Sequence, residues 1–312
     1  MKNKIKSSTI FYISLLMLIY AAYAIIYSDI PVENLKQKYT NEHSKFISID
    51  NMQVHYRDEG AGKTIVLIHG TAASLHTWDD WTKTLTNNYR VIRMDLPAFG
   101  LTGANANGDY SITNYTRFLK QFLSKLNVEH FYLVGNSLGG NIAWNFTAEN
   151  PEKVEKLILI DSSGLPINQP IPWIFSMAKM PILSSLFLHV TPRMIIKNNI
   201  TQVYSDDSKI TEDLITRYHE MSLRAGNRQA FIDRANITFR LASQANINKL
   251  KSIKTETLLL WGEDDVWIPL DNGKRMNSLL DNSTLVVLKN SGHVPMEESP
   301  QESMEVMLGF IQ

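Results

Sequence analysis

The chain has 312 residues, of which 44% are hydrophobic and 20% charged, a balance typical of globular proteins and unlike that of disordered chains. Lys and Arg together number 31, as do Asp and Glu, so the net charge is zero and no nucleic-acid partner is expected, since such partners need a basic excess. The absence of cysteine excludes disulfides, thiol nucleophiles and thiolate metal sites.

The first 28 residues differ from the rest of the chain in charge and hydropathy. Lysines at positions 2, 4 and 6 precede an uncharged run from Ile10 to Tyr27, and acidic residues follow at Asp29 and Glu33. As a helix this run rises about 27 Å, close to the hydrocarbon core of about 30 Å. Basic charge before the run and acidic charge after it predict an N-terminus on the inside. We therefore predict a transmembrane signal anchor over residues 1–28, which makes the membrane a partner and places the rest of the chain on its outer side.

A cleaved signal peptide is the alternative interpretation of this segment. Ala22, Tyr23 and Ala24 have the A-x-A form of a signal-peptidase site, and an apolar stretch of suitable length precedes them. Cleavage there would give a secreted protein. A buried helix of a globular domain is less favoured, because a uniformly apolar helix at a chain end has nothing obvious to pack against.

After a polar connector over residues 29–45, short apolar runs alternate with longer amphipathic segments. The segment FISIDNMQVHYRD (46–58) alternates apolar and polar residues as a β-hairpin does. The continuous apolar runs, typical of strands buried on both faces, are TIVLIHG (64–70), YRVIRMD (89–95), HFYLVG (130–135), KLILID (156–161), TLLLWG (257–262) and STLVVLKN (283–290). Segments with helical spacing, such as 111–127 and 138–150, separate them. This alternation predicts an α/β fold with a mostly parallel, twisted sheet flanked by helices.

One long segment interrupts the alternation. Between Gly164 and Leu250 there is no clean buried strand, and prolines are followed by long stretches with helical spacing. We predict that residues 164–250 form an inserted helical cap, or lid, over the carboxyl ends of the strands. Residues 46–163 and 251–312 then form the core domain.

The stretch LVGNSLGGN (133–141) places Ser137 between glycines, where a predicted strand runs into a predicted helix. A serine hydroxyl becomes a good nucleophile only when a base removes its proton, and it must reach the substrate from an exposed position. Glycines tolerate the sharp turn, and the helix N-terminus directs N–H groups to the place where an oxyanion would form. A G-x-S-x-G sequence in this context indicates a nucleophile. The side chains of Asn136 and Leu138 are expected to matter less than their positions.

Of the eight histidines, His293 is the candidate base, because it follows a possible acid and lies in a loop just after a late strand. Asp264 and Asp265 follow the run TLLLWG at the same edge of the predicted sheet. A carboxylate there can hold the imidazole in the tautomer that accepts the serine proton. Either aspartate could therefore complete a catalytic triad with Ser137 and His293, in the chain order serine, aspartate, histidine.

In these features the sequence resembles the α/β-hydrolase-fold superfamily of esterases, lipases and carbon–carbon bond hydrolases, from about residue 46 to the C-terminus. WGEDDVWIP resembles the family's W-G-x-x-D-x-x-x-P segment, and this match selects Asp265 over Asp264 as the triad acid. Asp161, at the end of KLILID, is the rival, because some relatives carry the acid at that strand end.

Two further segments carry the resemblance. LIHGTAASLHTW resembles the family's His-Gly loop, which implies an oxyanion hole made by the backbone N–H groups of Thr71 and Leu138. In this family the histidine of that loop, here His69, supports the loop rather than the chemistry. DLPAFGLTG resembles D-x-P-G-x-G-x-S, with Ala98 and Thr102 where glycine and serine are usual.

The resemblance implies hydrolysis of carboxylic esters through an acyl-enzyme on Ser137. A serine nucleophile argues against the haloalkane-dehalogenase and epoxide-hydrolase branches, which use aspartate. The predicted anchor favours a lipid-like ester, because membrane-anchored monoacylglycerol lipases are similar in overall plan. The alternatives are a carbon–carbon bond hydrolase of a vinylogous diketone and, from another class, a ligand receptor of this fold with little turnover. The expected partner is a small-molecule or lipid ester, and neither a metal nor an organic cofactor is required.

Overall fold

The structure, a computed structural model, describes residues 2–167, 169–237 and 244–312. Its strands are β1 (Ser44–Ile49), β2 (Met52–Glu59), β3 (Lys63–Ile68), β4 (Tyr89–Met94), β5 (Phe131–Asn136), β6 (Val154–Ile160), β7 (Thr257–Gly262) and β8 (Ser283–Leu288). Its α-helices are α1 (Lys2–Ile26), α2 (Val32–Tyr39), α3 (Asp79–Leu85), α4 (Ile112–Lys125), α5 (Leu138–Glu149), α6 (Trp173–Ala178), α7 (Pro181–Phe187), α8 (Arg193–Val203), α9 (Glu212–Ser222), α10 (Asn227–Asn236), α11 (Gln244–Lys251), α12 (Leu270–Leu279), α13 (Pro295–Glu298) and α14 (Pro300–Ile311). Two short 3₁₀ helices lie at Leu75–Trp78 and Asp207–Lys209.

The strands form one sheet in the order β1-β2-β4-β3-β5-β6-β7-β8. The strand pairs β1–β2 and β2–β4 are antiparallel, and the remaining neighbours are parallel. The predicted hairpin and the predicted strands are confirmed, with boundaries that differ by a few residues. The prediction that 283–290 is a strand buried on both faces is wrong, because β8 lies at the edge of the sheet and only Leu288 in it is buried. The parallel strands bring their carboxyl ends to one edge, where the loops that carry the candidate site residues begin.

The central strands bury side chains on both faces of the sheet. In β3, Val66 and Ile68 pack into one apolar cluster, whereas Ile65 and Leu67 pack into the cluster on the opposite face. All four side chains are fully buried. This arrangement follows from the two-residue period of a strand, and it explains why these strands are continuous apolar runs rather than alternating ones.

The turn between β5 and α5 brings helix and strands unusually close together. A Cβ atom on Gly139 would lie 2.2 Å from the carbonyl oxygen of Ile68, at the end of β3. A Cβ atom on Gly135 would lie 2.3 Å from the carbonyl oxygen of Gly139. Only glycine fits at both positions, and the first turn of α5 therefore rests directly on the carboxyl ends of β3 and β5.

Between β6 and β7 the described residues form helices α6–α11, here called the inserted helices, and contain no strand. The predicted cap over residues 164–250 includes residues 168 and 238–243, which lie outside the described residues, as Met1 of the predicted anchor also does. The predicted division into core and cap stays a prediction.

The segment predicted as a polar connector contains a helix that packs against the rest of the molecule. Leu35 of α2 is only 2% exposed and forms a small apolar cluster with Leu101 and Met221. Leu101 belongs to the loop after β4, and Met221 belongs to α9. The connector thus contacts both the sheet and the inserted helices.

The N-terminal prediction needs correction. Helix α1 extends from Lys2 to Ile26. Among the described residues, no helix combines the length and the hydropathy needed to cross a membrane. The predicted transmembrane helix and membrane partnership therefore have no support, and the predicted localisation on the outer side of a membrane is wrong.

We expect Gly139→Ala to lower the free energy of unfolding by about 1–3 kcal/mol, because the new methyl group overlaps backbone that cannot move without disturbing the sheet. Gly309→Ala is the matched control, since a Cβ atom there has no neighbour within 4 Å. In an open helical position this change should raise stability by about 0.5–1 kcal/mol. Urea unfolding of both variants measures the two effects, and equal stability of Gly139→Ala and the parent protein would contradict the proposed close packing.

Candidate active site

Ser137 lies in the turn between β5 and α5 in a strained backbone conformation. Its φ of 53° and ψ of −113° are unusual for a residue with a side chain, at a cost of about 1–3 kcal/mol. Hydrogen bonds hold the conformation, because its N–H donates to the carbonyl of Ile160 at 3.0 Å and its own carbonyl accepts the N–H of Ser163 at 3.1 Å. The strain places the side chain at the edge of the sheet, where it lines two cavities.

His293 is held by a carboxylate of the preceding loop. Its Nδ1 lies 2.7 Å from Oδ2 of Asp265, and both residues are buried. The other carboxylate oxygen of Asp265 accepts the backbone N–H groups of Trp267 and Ile268, at 2.7 and 2.9 Å. Because the carboxylate oxygens accept, Nδ1 of His293 carries the proton, and Nε2 is left as the basic nitrogen.

The three aspartates considered from the sequence differ in their contacts. Asp265 contacts the imidazole, whereas the carboxylate of Asp264 accepts the hydroxyl of Ser205 at 2.6 Å. Asp161 is fully buried and points one oxygen at the N–H of Gly262, at 2.9 Å. The geometry is thus the one expected if Asp265 is the acid partner of His293.

Asp161 nevertheless lies beside this pair. Burial, and then the neighbouring charge of Asp265, raises the pKa of the Asp161 carboxyl well above its ordinary value of 3.8. The raised pKa favours the protonated, neutral form of Asp161. A neutral acid at this position adds no second negative charge next to His293.

Asp161, Asp265 and His293 also form the group that best resembles a metal site among the described residues, with ligand-type atoms within 4.8 Å of one another. Metal binding requires deprotonated ligands. Here the raised pKa of Asp161 opposes its deprotonation, and the hydrogen bond between Asp265 and His293 occupies two of the atoms that a metal would use. The donor set fits a hydrogen-bonded catalytic group better than a metal centre.

Two side chains that the sequence did not single out position the His293 loop. Nδ2 of Asn136 donates to the carbonyl of His293 at 3.0 Å, so the expectation that this side chain matters little is wrong. The carboxylate of Glu298 accepts three backbone N–H groups at 2.7 Å, from Gly292, Ser205 and Asp206. No spacing in the sequence indicates the Asn136 contact or the contacts of Glu298 with Ser205 and Asp206, because each of these joins segments far apart in the chain.

The predicted oxyanion-hole residues lie at the same edge of the sheet. Thr71 follows β3 in the His-Gly loop and lines both cavities, and Leu138 lines the second. Leu138 begins α5, so its N–H has no intrahelical acceptor and lies at the positive end of the helix. Their catalytic roles stay predictions.

His69 holds the His-Gly loop in place. Its Nδ1 donates to the carbonyl of Gly70 at 2.7 Å, and its Nε2 accepts the N–H of Leu96 at 2.9 Å. Burial lowers the pKa of this imidazole, in agreement with a neutral ring that uses both nitrogens structurally. The geometry matches the supporting role expected from the sequence.

Two cavities meet at the candidate site. The residues that line both are Thr71, Ser137, Phe175, Trp267 and His293. Side chains of α8, α9 and α10 line the first cavity, and residues 163–165, 167 and 169–172 line the second. A substrate bound across Ser137 would therefore have one part in each cavity, with the reacting carbon between them.

We expect Asp161→Asn to change the pH dependence of stability. The folded protein keeps the Asp161 proton at pH values where the unfolded chain has lost it, so stability falls as pH rises from about 4 toward the raised folded pKa. This loss of unfolding free energy is up to about 1.4 kcal/mol per pH unit. Asparagine does not ionise, so the Asp161→Asn variant should not show it. Urea unfolding at pH 5 and pH 7 measures the difference. Asp271→Asn is the control, because the Asp271 side chain is 89% exposed. If stability depends on pH equally in the parent protein and both variants, Asp161 is ionised in the folded protein.

Comparison with known proteins agrees with this geometry. A family model described as the alpha/beta hydrolase fold matches residues 63–300. The 2-hydroxy-6-oxononadienedioate/2-hydroxy-6-oxononatrienedioate hydrolase 1 of Pseudomonas putida is 30% identical over 282 residues, which cover 86% of this chain and 97% of that protein. The 2-hydroxy-6-oxo-6-phenylhexa-2,4-dienoate hydrolase of Burkholderia cepacia is 28% identical over 280 residues, with coverage of 86% and 96%.

A solved structure shares the fold. The meta-cleavage product hydrolase of Pseudomonas fluorescens IP01 superimposes with a TM-score of 0.75 at 24% identity, over 86% of this chain and 97% of that one. The resemblance predicted from LIHGTAASLHTW, LVGNSLGGN and WGEDDVWIP is thereby confirmed. The chain belongs to the alpha/beta hydrolase family.

Proposed function

We propose that this protein is a serine hydrolase that cleaves the carbon–carbon bond beside a ketone in a vinylogous diketone of the 2-hydroxy-6-oxo-dienoate type. The observation that carries the proposal is the similarity, along nearly the full length of both chains, to hydrolases named for such substrates. This was the alternative interpretation of the sequence. The main interpretation, a lipid ester hydrolase, is not confirmed, and the membrane anchor that favoured it has no support.

In the proposed mechanism Ser137 is the nucleophile and His293 is the base. Nε2 of His293 takes the hydroxyl proton as the serine oxygen attacks the ketone carbon. The backbone N–H groups of Thr71 and Leu138 stabilise the resulting oxyanion, where one such donor is typically worth about 3–4 kcal/mol. Asp265 keeps the imidazole oriented and stabilises its positive charge.

Bond cleavage then requires a place for the electron pair of the broken carbon–carbon bond. The substrate first becomes its keto tautomer, in which the 2-hydroxyl proton has moved to C5 and C2 is a ketone conjugated to the C3=C4 double bond. The electron pair passes through this double bond into the C2 ketone, and the resulting dienolate takes up the proton from His293. The acyl group stays on Ser137 as an ester. His293 next removes a proton from water, which attacks this ester and releases a carboxylic acid and the free serine.

The chemistry of the cavities supports a polar substrate. Arg228 lines the first cavity and Arg234 the second. Oδ1 of Asn199 and Oδ1 of Asn227, both from residues that line the first cavity, are buried without a hydrogen-bond partner among the described residues. Buried polar atoms of this kind are costly in a purely apolar site and useful in one that binds a polar substrate.

Ester hydrolysis is the second candidate, because the same acyl-enzyme would form on Ser137. Aromatic and aliphatic side chains, among them Phe175, Phe187 and Ile200, supply much of the wall of the first cavity. Such a wall favours an apolar acyl group. The two reactions differ in the leaving group, which is an alcohol in one case and a stabilised carbanion in the other.

We further propose that residues 164–250 act as a cap on a core of residues 46–163 and 251–312. The support is that the inserted helices contribute side chains to the first cavity, for example Ile174, Ile200 and Phe231. The core contributes the triad. Substrate selection would then depend on the cap and catalysis on the core.

We expect Ser137→Ala to lower kcat/KM for the preferred substrate by about 10⁴-fold or more, because the triad acts as a unit. Ser124→Ala, an exposed serine on α4, should leave it unchanged. Steady-state kinetics and covalent labelling with a fluorophosphonate probe test this together. Activity or labelling that survives Ser137→Ala would mean that another residue is the nucleophile.

A direct substrate comparison decides between the candidates. We expect the purified protein to cleave 2-hydroxy-6-oxo-6-phenylhexa-2,4-dienoate, followed by its absorbance, with a kcat/KM at least about 10-fold above that for p-nitrophenyl butyrate or a monoacylglycerol. The reverse order would favour the ester hydrolase. Binding of the dienoate without turnover of any of the three would indicate a ligand receptor.

A further inference from the structure

The connector before β1 crosses the inserted helices beside the first cavity. The N–H of Ile30 donates to the carbonyl of Leu223 at 2.7 Å, and the N–H of Ala225 donates to the carbonyl of Ile30 at 3.0 Å. These bonds fix the connector in one register against the loop between α9 and α10. Asp29, the preceding residue, is thereby held next to Arg228 at the start of α10.

Arg228 belongs to both the connector contact and the cavity. Its Nη2 donates to Oδ1 of Asp29 at 2.6 Å, and its Nη1 donates to the carbonyl of Tyr27 at 2.9 Å. The residue is only 5% exposed and lines the first cavity together with Ser137. Its Nε is buried and has no hydrogen-bond partner among the described residues.

No carboxylate among the described residues that line the first cavity offsets the positive charge of Arg228. Of the described residues that line the first cavity, Arg228 is the only Lys, Arg, Asp or Glu, so no carboxylate neutralises it from within. Asp29 approaches from outside and its side chain is 49% exposed, so water screens its attraction for the guanidinium. A buried arginine that retains an unused Nε–H donor is a strong site for a second anion.

We propose that Arg228 is an anion subsite of the first cavity, which binds a carboxylate on the acyl part of the substrate, and that Asp29 competes with this carboxylate for the guanidinium. The proposal rests on the proposed function and deepens it, since it names the substrate class as diacids. The carboxylate in the cavity accepts from Nε, which Asp29 leaves unused. The connector then sets the strength of the subsite through Asp29.

The two curated relatives differ in this part of their named substrates. Both substrates share a 2-hydroxy-6-oxo-dienoate, but 2-hydroxy-6-oxononadienedioate continues beyond the ketone to a second carboxylate, whereas the other substrate carries a phenyl group there. These compounds are a matched pair for the subsite. The proposal predicts that Arg228 favours the diacid over the phenyl compound.

The test measures binding in the Ser137→Ala protein, so that it does not depend on turnover. Each compound is titrated and its absorbance followed in that protein and in the double variants with Arg228→Met, Asp29→Asn and Lys38→Gln. The last is the control, because the ion pair between Lys38 and Glu220, at 2.7 Å, also joins the connector to α9 but neither residue lines the cavity.

We expect Arg228→Met to weaken binding of the diacid about ten- to hundredfold and to leave the phenyl compound within about twofold. Asp29→Asn should tighten diacid binding severalfold with no effect on the phenyl compound. Lys38→Gln should change neither. The Asp29 variant decides the matter if Arg228→Met does not fold, because the Asp29 side chain is half exposed and the substitution preserves its shape.

Three outcomes would overturn the proposal: no binding of the diacid, an equal effect of Arg228→Met on both compounds, or weaker diacid binding in Asp29→Asn. An effect of Lys38→Gln equal to that of Asp29→Asn would also overturn it, since loosening of the connector would then be the cause. Turnover by the protein with Ser137 intact is measured in parallel. If the variants change diacid binding as expected but the protein with Ser137 intact does not cleave the diacid, only the proposed reaction is refuted. If that protein cleaves the diacid but the variants do not change its binding as expected, only the subsite is refuted.

Discussion

The close contact between the first turn of α5 and the carboxyl ends of β3 and β5 is the constraint on which the candidate site depends. Gly139 permits this contact, since its Cα lies where any side chain would meet the backbone of Ile68. The helix then begins immediately after Asn136, and Ser137 has no room for ordinary backbone angles. The strained serine, the N–H of Leu138 and the tether from Asn136 to the His293 loop all follow from this one approach of helix to sheet.

Much of this arrangement could be predicted from the sequence, because parallel strands bring their carboxyl ends to one edge. Ser137, Asp265 and His293 each follow such a strand, so topology alone places them near one another. The Asn136 tether could not be predicted, since it depends on the path of a loop 157 residues away. The raised pKa of Asp161 could not be predicted either, because it depends on burial and on the distance between two carboxyl groups.

The N-terminal segment and the substrate show a different limit. The uncharged run from Ile10 to Tyr27 predicts an anchor from the sequence, and that prediction also guided the expectation of a lipid ester. Because the predicted anchor has no support, the main reason to expect a lipid ester as the substrate is gone. The prediction of Ser137, Asp265 and His293 as a triad does not depend on the anchor. Triad chemistry is common to many reactions, so the substrate class depends on the cavity walls. Those walls come largely from the inserted helices, where Arg228 has no recognisable motif around it.

The clamp formed by Glu298 limits how the inserted helices can move. Its carboxylate binds the loop of His293 through Gly292 and the inserted segment through Ser205 and Asp206. Any motion that pulls Ser205 away from the sheet must break short, charge-assisted hydrogen bonds and would displace the loop of His293 as well. The segment after α8 is therefore the part of the insertion that is fixed to the loop of His293.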